Sequence, residues 1–449
     1  MRTELTLAAT APVAPIDAHG MLILLLQLVL LLGTAFGLGR LCQRFGLPAV
    51  CGELAAGVLL GPSILGSTLP AFSGWLFPHD AGQMHLLDAI GQIGVVLLVA
   101  LTGVHVDTGL AKRQGRAALT ISVGGVVLPL GLGVLVGLAL PAAMRGAGIN
   151  TGVFALLIGI SIAVSAIPVI AKVLLEMGLM HRNVGQLVMS TATVDDVVGW
   201  TLLSVVSGMA TAGLTTGRVL WSIGSVVLVL VLTFVVGRPV IKLALRGANR
   251  STEEGTHVAV VVLLVLAFAV GSHALGLEPV VGAFFCGLVI SASGLVNRAA
   301  LVPLRTVVMA VLAPIFFATA GLRMNLTALA QPPVLIAAVA LLVVAVIGKF
   351  AGAYLGGRMA RMGHWESLAV GAGLNARGVI GVIVAMTGLR LGVLTTAGYT
   401  IVVLVAVVTS VMAPPLLRAT VRRIAETDEE QEREKLLSGR KVAVGGTEK

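Results

Sequence analysis

Ser190-Thr191-Ala192-Thr193-Val194-Asp195-Asp196-Val197-Val198-Gly199-Trp200 places two adjacent carboxylates inside an apolar run with no other charge between Asn183 and Ser207. An ionisable group at bilayer depth costs at least about 2.5–3.5 kcal/mol on the insertion scale. Such a pair therefore needs a partner or a purpose. Successive residues of a helix point about 100° apart. One Asp can then face a water-filled cavity while its neighbour faces a packed basic residue. Neighbouring carboxylates disfavour each other's charge, and a carboxylate that trades its proton for a metal ion near pH 7 is what cation/proton exchange requires. Ser190, Thr191 and Thr193 add hydroxyl oxygens close by, and hard cations take oxygen ligands. A buried structural ion network with Lys349 and Arg377 is the plainer reading of the same charges. The paired carboxylates with three hydroxyls beside them favour an ion site.

The rest of the chain supplies the solvent for that pair. Of 449 residues, 57% are apolar and 11% charged, and the mean hydropathy is +1.04. A soluble domain carries about 25% charged residues, so this is the composition of an integral membrane protein. Disorder, a DNA-binding module and a secreted disulfide scaffold are excluded on the same grounds. The net charge of +10 does not indicate a nucleic-acid partner, because the basic residues sit in short clusters between apolar runs, where membrane topology puts them. Cys42, Cys51 and Cys286 form no CxxC, which points to neither a metal site nor a disulfide framework. Gly133–Gly137 and Gly352–Gly356 have the small-xxx-small spacing of closely packed membrane helices.

Apolar runs of membrane-spanning length predict an all-α polytopic protein of about thirteen transmembrane helices. They lie near 21–39, 50–66, 88–106, 117–140, 151–176, 183–207, 219–241, 256–275, 279–293, 300–321, 333–356, 366–391 and 397–417. Residues 1–20 form a polar lead. Arg40, rather than a small-residue cleavage site, follows the first run, so that run is expected to be a retained helix. With the N-terminus outside, Arg40 and Arg44, Lys112 to Arg116, Lys172 and Arg182, Arg238 to Arg250, Arg298 and Arg305, and Arg358 and Arg361 all fall in cytoplasmic loops. Only Arg2, Arg145, Arg218, Arg323 and Arg390 fall outside. The bias puts the C-terminus, with its short charged tail 418–449, in the cytoplasm. Trp75, Trp200 and Trp365 near span ends suit interfacial anchoring.

Two spans look interrupted. Pro168 follows Ser161-Ile162-Ala163-Val164-Ser165-Ala166-Ile167, and Asn375 and Arg377 lie in the glycine-rich stretch Gly371 to Gly378. Interrupted segments in both halves of a chain point to a transporter with inverted repeats.

Leu47 to Ser63 (LPAVCGELAAGVLLGPS) resembles the second helix of monovalent cation:proton antiporters of the Kef-like and plant CHX-like branch. Ser165 to Leu174, Thr193 to Asp196, Gly282 to Val289, Pro314 to Phe317 with Gly321-Leu322, Gly348-Lys349 and Asn375 to Gly378 carry the same likeness, in order. The resemblance implies a homodimer with a six-helix core at about 117–207 and 333–417 and dimerisation helices at about 21–106 and 219–321. It implies two broken, crossing helices in the core. It makes Asp196 the ion- and proton-binding carboxylate, Asp195 its neighbour paired with Lys349, and Ser165 a crossover residue beside the broken-helix positions Pro168, Asn375 and Arg377. The Asp-Asp-Lys pattern looks like the electrogenic type. Kef-type members also carry a C-terminal nucleotide-binding domain; residues 418–449 are too few for one, so gating of that kind is not expected.

The reading is a secondary antiporter of protons against Na⁺ or K⁺ with no cofactor and no enzymatic chemistry. The Asp pair and Thr191 would supply the cation ligands, and a role in pH homeostasis would follow. The compact chain and its excess of Arg over Lys suit a bacterial cytoplasmic membrane. The alternative is a proton- or sodium-coupled transporter of a small organic solute on the same fold.

Overall fold

The computed structural model describes residues 16–78, 80–105, 115–212, 224–225, 227–251, 253–297 and 299–437. The polar lead before residue 16, Lys112 and Arg113, the stretch 213–223, Arg298 and the last twelve positions lie outside them. All the labelled elements are helices: α1 (Ala18–Arg44), α2 (Ala49–Leu60), α3 (Ala81–His105), α4 (Gly115–Ala139), α5 (Thr151–Ala163), α6 (Ile167–Glu176), α7 (Asn183–Ala212), α8 (Val227–Ala248), α9 (Glu254–Ala274), α10 (Pro279–Ser293), α11 (Val302–Leu322), α12 (Pro332–Met359), α13 (His364–Leu374), α14 (Gly378–Arg390), α15 (Thr396–Val421) and α16 (Asp428–Leu437). Among the described residues nine helices are long and apolar enough to cross a bilayer, or ten if α13 and α14, bent by 45° at their junction, count as one span.

Local chemistry sets many of these boundaries. Asp17, Asn150 and Thr395 cap α1, α5 and α15 by accepting from Gly20, Gly152 and Gly398 backbone N–H groups, which satisfies otherwise orphaned donors. Proline opens α10 and α12, where its missing N–H costs nothing. Val29, Val127, Leu135, Leu263, Val270 and Ile336 are each more than half exposed, as side chains facing lipid are. The helices pack in two groups. One joins α4, α5, α7, α12, α13, α14 and α15; the other joins α1, α2, α3, α9, α10 and α11.

Glycine decides how close the first group comes. A Cβ on Gly133 or Gly137 would fall 2.7 Å from the Cα of Gly159 or Ala155 in α5. One on Gly352 would fall 2.2 Å from the Gly124 carbonyl oxygen, and one on Gly356 2.6 Å from the Ile121 Cα. Both small-xxx-small pairs thus lie at helix contacts, as their spacing implies. Gly352→Leu is expected to push α12 off α4 and destabilise the protein by at least about 1–3 kcal/mol, the usual cost of overpacking. Thermal unfolding in detergent against wild type reads it, and an unchanged midpoint would contradict this packing.

Three expectations need correction. The span placed at 219–241 continues to Ala248, so Arg238, Lys242 and Arg246 lie on helix α8 rather than in a loop. Their four-residue spacing is helical, and Ile241, Leu245 and Ala248 bury the other face. Trp200 is no interfacial anchor: α7 runs to Ala212, leaving Trp200 well inside it, buried and tilted against the Phe284 ring at 6.2 Å. Pro168 does not interrupt a continuous span. It is the second residue of α6, in a first turn that needs no N–H from it, and the break lies just before it at 164–166.

The tail is partly docked. Glu430 on α16 is buried, accepts from the Asn183 backbone N–H at 2.6 Å and pairs with Arg182 Nε at 3.3 Å. It therefore caps the start of α7 from outside that helix, with His181 Nε2 and Glu426 Oε1 2.8 Å apart beside it. Burial pushes the Glu430 carboxyl up, but the Thr427 and Asn183 N–H groups and Arg182 outweigh it and hold the group below its ordinary 4.5. A depressed carboxyl pKa contributes stability that is complete above the unfolded value and lost as pH falls through the folded one. The tail is expected to stay docked from neutral pH to about 4.5 and to detach only below it. Limited proteolysis around Arg422 and Arg423 across a pH series checks this; release between pH 7 and 5 would refute it.

Candidate ion site at the helix breaks

The two breaks meet. Ala166 N–H donates to the Ala376 carbonyl at 2.9 Å, and Ser165 Oγ lies 2.8 Å from the Leu374 carbonyl. Each half-helix end has orphaned backbone groups that hydrocarbon cannot satisfy, and each finds a named partner. At the end of α5, Arg377 Nε takes the Ile162 carbonyl at 2.8 Å and Lys349 Nζ the Ala163 carbonyl, also at 2.8 Å. Two cations therefore sit at the negative end of that helix dipole. At the end of α13, the Leu374 carbonyl shares the single Ser165 hydroxyl proton with Asp195 Oδ2. At the start of α14, the Gly378 N–H donates to Ser410 Oγ at 2.9 Å. Gly378 has φ +30°, and a Cβ there would lie 2.4 Å from Val169 Cγ2. Only glycine fits that turn.

Lys349 is fully buried with three donors, and all three are used: Asp195 Oδ2 at 2.7 Å, the Ala163 carbonyl, and the Gly125 carbonyl at 3.0 Å. The last bond has a cause in the sequence. Pro129 lies inside α4, four residues after Gly125. Having no N–H, it leaves the Gly125 carbonyl without its helical partner, and Lys349 fills the gap. Arg377, also fully buried, meets carbonyl oxygens of Ile162 and Ala345 and the Asn375 side-chain oxygen at 3.1 Å. It meets no carboxylate.

The two aspartates differ sharply. Asp195 accepts from Ser122 Oγ at 2.6 Å on one oxygen and from Lys349 at 2.7 Å and Ser165 Oγ at 2.9 Å on the other. Asp196 is equally buried, yet neither of its oxygens has a hydrogen-bond partner. Ser190 Oγ, Thr191 Oγ1 and Asn375 Nδ2 are buried and unpartnered as well. An unsatisfied buried polar group costs about 1–3 kcal/mol, so each of these atoms is an exception to the usual pairing of buried polar groups. Thr193 differs: it is partly exposed and donates to the Met189 carbonyl at 2.9 Å.

Asp195, Asp196, Thr191, Ser165, Lys349, Asn375 and Arg377 are all buried, and the bonds above tie most of them to the two breaks. Ser122, Gly125 and Pro129 escaped the sequence reading. A proline four residues after a glycine in an apolar helix was a usable signal for a freed carbonyl, whereas a lone serine in such a helix gives none.

Broken helices that meet inside a bundle of apolar spans, with buried charges at their ends, define a polytopic membrane protein of secondary-transporter architecture. The profile of the sodium/hydrogen exchanger transmembrane family matches residues 28–423, and the chain belongs to that family. It is 29% identical over 405 residues to the Na⁺/H⁺ antiporter NhaS4 of Synechocystis, covering 89% of this chain and 98% of that one. It is 30% identical over 383 residues to cation/H⁺ antiporter 15 of Arabidopsis thaliana, covering 84% of this chain but 45% of the plant protein, so the chain spans about half of that relative. The fold is that of the sodium proton antiporter MjNhaP1 from Methanocaldococcus jannaschii, solved at pH 8, with a TM-score of 0.64 at 16% identity over 90% of this chain and 97% of that one.

Proposed function

We propose that this protein is a secondary antiporter that exchanges protons for Na⁺ or K⁺ by alternating access, with Asp196 as the shared carrier. The observation that carries the reading is the contrast within the Asp pair. Asp195 is fully engaged by Lys349, Ser122 and Ser165, whereas Asp196 has two buried oxygens free for a proton or a cation. Thr191 supplies a further unpartnered oxygen. Asp195 joins the cation shell only as its bond to Lys349 loosens, and a basic group opposite the pair gives the electrogenic pattern. Proton and cation compete for one site, so the two fluxes are coupled without ATP or covalent chemistry. The names of the Synechocystis and Arabidopsis relatives support proton-coupled cation exchange over the organic-solute alternative.

The same reading takes thirteen spans across a cell membrane, of bacterial cytoplasmic type, with the C-terminus cytoplasmic. The group containing α4 to α7 and α12 to α15 is the moving core, and the other group is the dimerisation side of a homodimer. The test is reconstitution in liposomes with an internal pH dye under an imposed proton gradient, followed by Na⁺, K⁺ or Li⁺. Collapse of the gradient by one cation supports the reading and names the substrate. Inertness to all three in correctly inserted protein overturns it and brings the organic-solute transporter forward.

A further inference from the structure

Glu278 is a buried carboxylate with no part in the ion site. It occupies the cap position of α10, where a side chain commonly serves its own helix, but it makes no such bond. Its carboxylate instead turns to the other group of helices. It accepts from Ser207 Oγ at 2.9 Å and pairs with Arg390 Nη2. Ser207 is on α7, the helix that carries Asp195 and Asp196. Arg390 ends α14, the second half of a broken helix. One side chain on the α10 side thus holds both moving parts of the site. Neighbouring contacts reinforce the same end: Tyr399 Oη on α15 donates to the Ala320 carbonyl of α11 at 2.6 Å, and the Asn325 N–H donates to Thr400 Oγ1 at 3.0 Å.

The opposite end is built differently. There the two groups stand apart around a cavity of about 340 Å³. Leu101, Arg305 and Met309 line it from one side, and Ile167, Lys172 and Met189 from the other. It reaches Ile167, the first residue of α6, directly after the break at 164–166. The two groups thus open around a cavity at the Lys172 end and are joined by hydrogen bonds at the Arg390 end.

We propose that Glu278 is the latch of the closed end, a positioning residue that clamps α7 and α14 against α10. Releasing it shifts the protein toward the state open at the Arg390 end. The proposal rests on alternating access as the transport mode. A latch of this kind biases two states by its differential bonding in them. Glu278→Gln keeps shape and the bond from Ser207 but cannot accept a charge-assisted pair from Arg390.

Hydrogen–deuterium exchange of the full protein in nanodiscs reads the conformation without requiring any transport. In Glu278→Gln and in Arg390→Gln, amides of 276–284 and 386–395 are expected to exchange about tenfold faster, the factor that loss of one charge-assisted bond produces. Amides of 98–104 and 167–172 are expected to exchange more slowly as the cavity closes. The charge-reversed pair Glu278→Arg with Arg390→Glu is expected to restore the wild-type pattern. Exchange that is unchanged, or faster at both ends alike, overturns the latch, because simple loss of packing loosens everything. A latch pattern in exchange with no cation-driven proton movement would sink the antiporter reading and leave the gate standing. Transport with wild-type exchange in the variants would do the reverse.

Discussion

Asp196→Asn is expected to abolish cation-driven proton movement in reconstituted vesicles while leaving the protein folded. The expectation is strong because the two effects separate at this position. The carboxyl oxygens make no hydrogen bond with the protein, so an isosteric amide breaks none and relieves the repulsion between two buried neighbours. What it removes is the group that can hold a proton at one moment and a cation at the next. An amide does not titrate, so the coupled exchange has no carrier and the dye signal should fall to that of empty vesicles. Asp195→Asn provides the comparison, since it strips a charge from a position bonded to Lys349, Ser122 and Ser165. That variant should lose stability as well as transport. If Asp196→Asn retains wild-type exchange while Asp195→Asn loses it without unfolding, the roles of the two carboxylates are the reverse of those proposed.

The charged residues of the site were legible in the sequence for a physical reason. In an 11% charged chain, Asp195, Asp196, Lys349 and Arg377 stand out against hydrocarbon-length apolar runs, and the cost of burying each demands a partner. Proline and glycine likewise announced two interruptions, although the first break falls before Pro168 rather than at it. Partners that carry no charge were not legible. Ser122 looks like any hydroxyl on a membrane helix, and backbone carbonyls such as Ala163 and Ala345 leave no trace in side-chain chemistry. Glu278 and Arg390 were hidden by place, since a charge at a span end reads as solvated until the neighbouring helices are seen. Which oxygens lie free is decided by packing between α4, α7 and α12, at a separation no single stretch encodes.

Lys349→Met should have the largest effect on stability of any single change in the site. The substitution keeps much of the aliphatic stem but leaves Asp195 as a buried carboxylate with two hydroxyl donors and no cation. Removing one member of a buried pair typically costs about 3–5 kcal/mol, because the surviving charge remains desolvated. Two further debts fall due with it: the Ala163 carbonyl loses its partner at the end of α5, and the Gly125 carbonyl, already without a helical donor because of Pro129, loses its replacement. Thermal unfolding in detergent is expected to show a large loss for Lys349→Met. Adding Asp195→Asn should recover part of it, since neutralising the orphaned carboxylate removes the charge penalty but not the two unsatisfied carbonyls. The recovery is the informative quantity. A double variant less stable than Lys349→Met would mean that Asp195 is held by its hydroxyls rather than by the ammonium. A single variant as stable as wild type would mean that water, and not Lys349, satisfies the breaks.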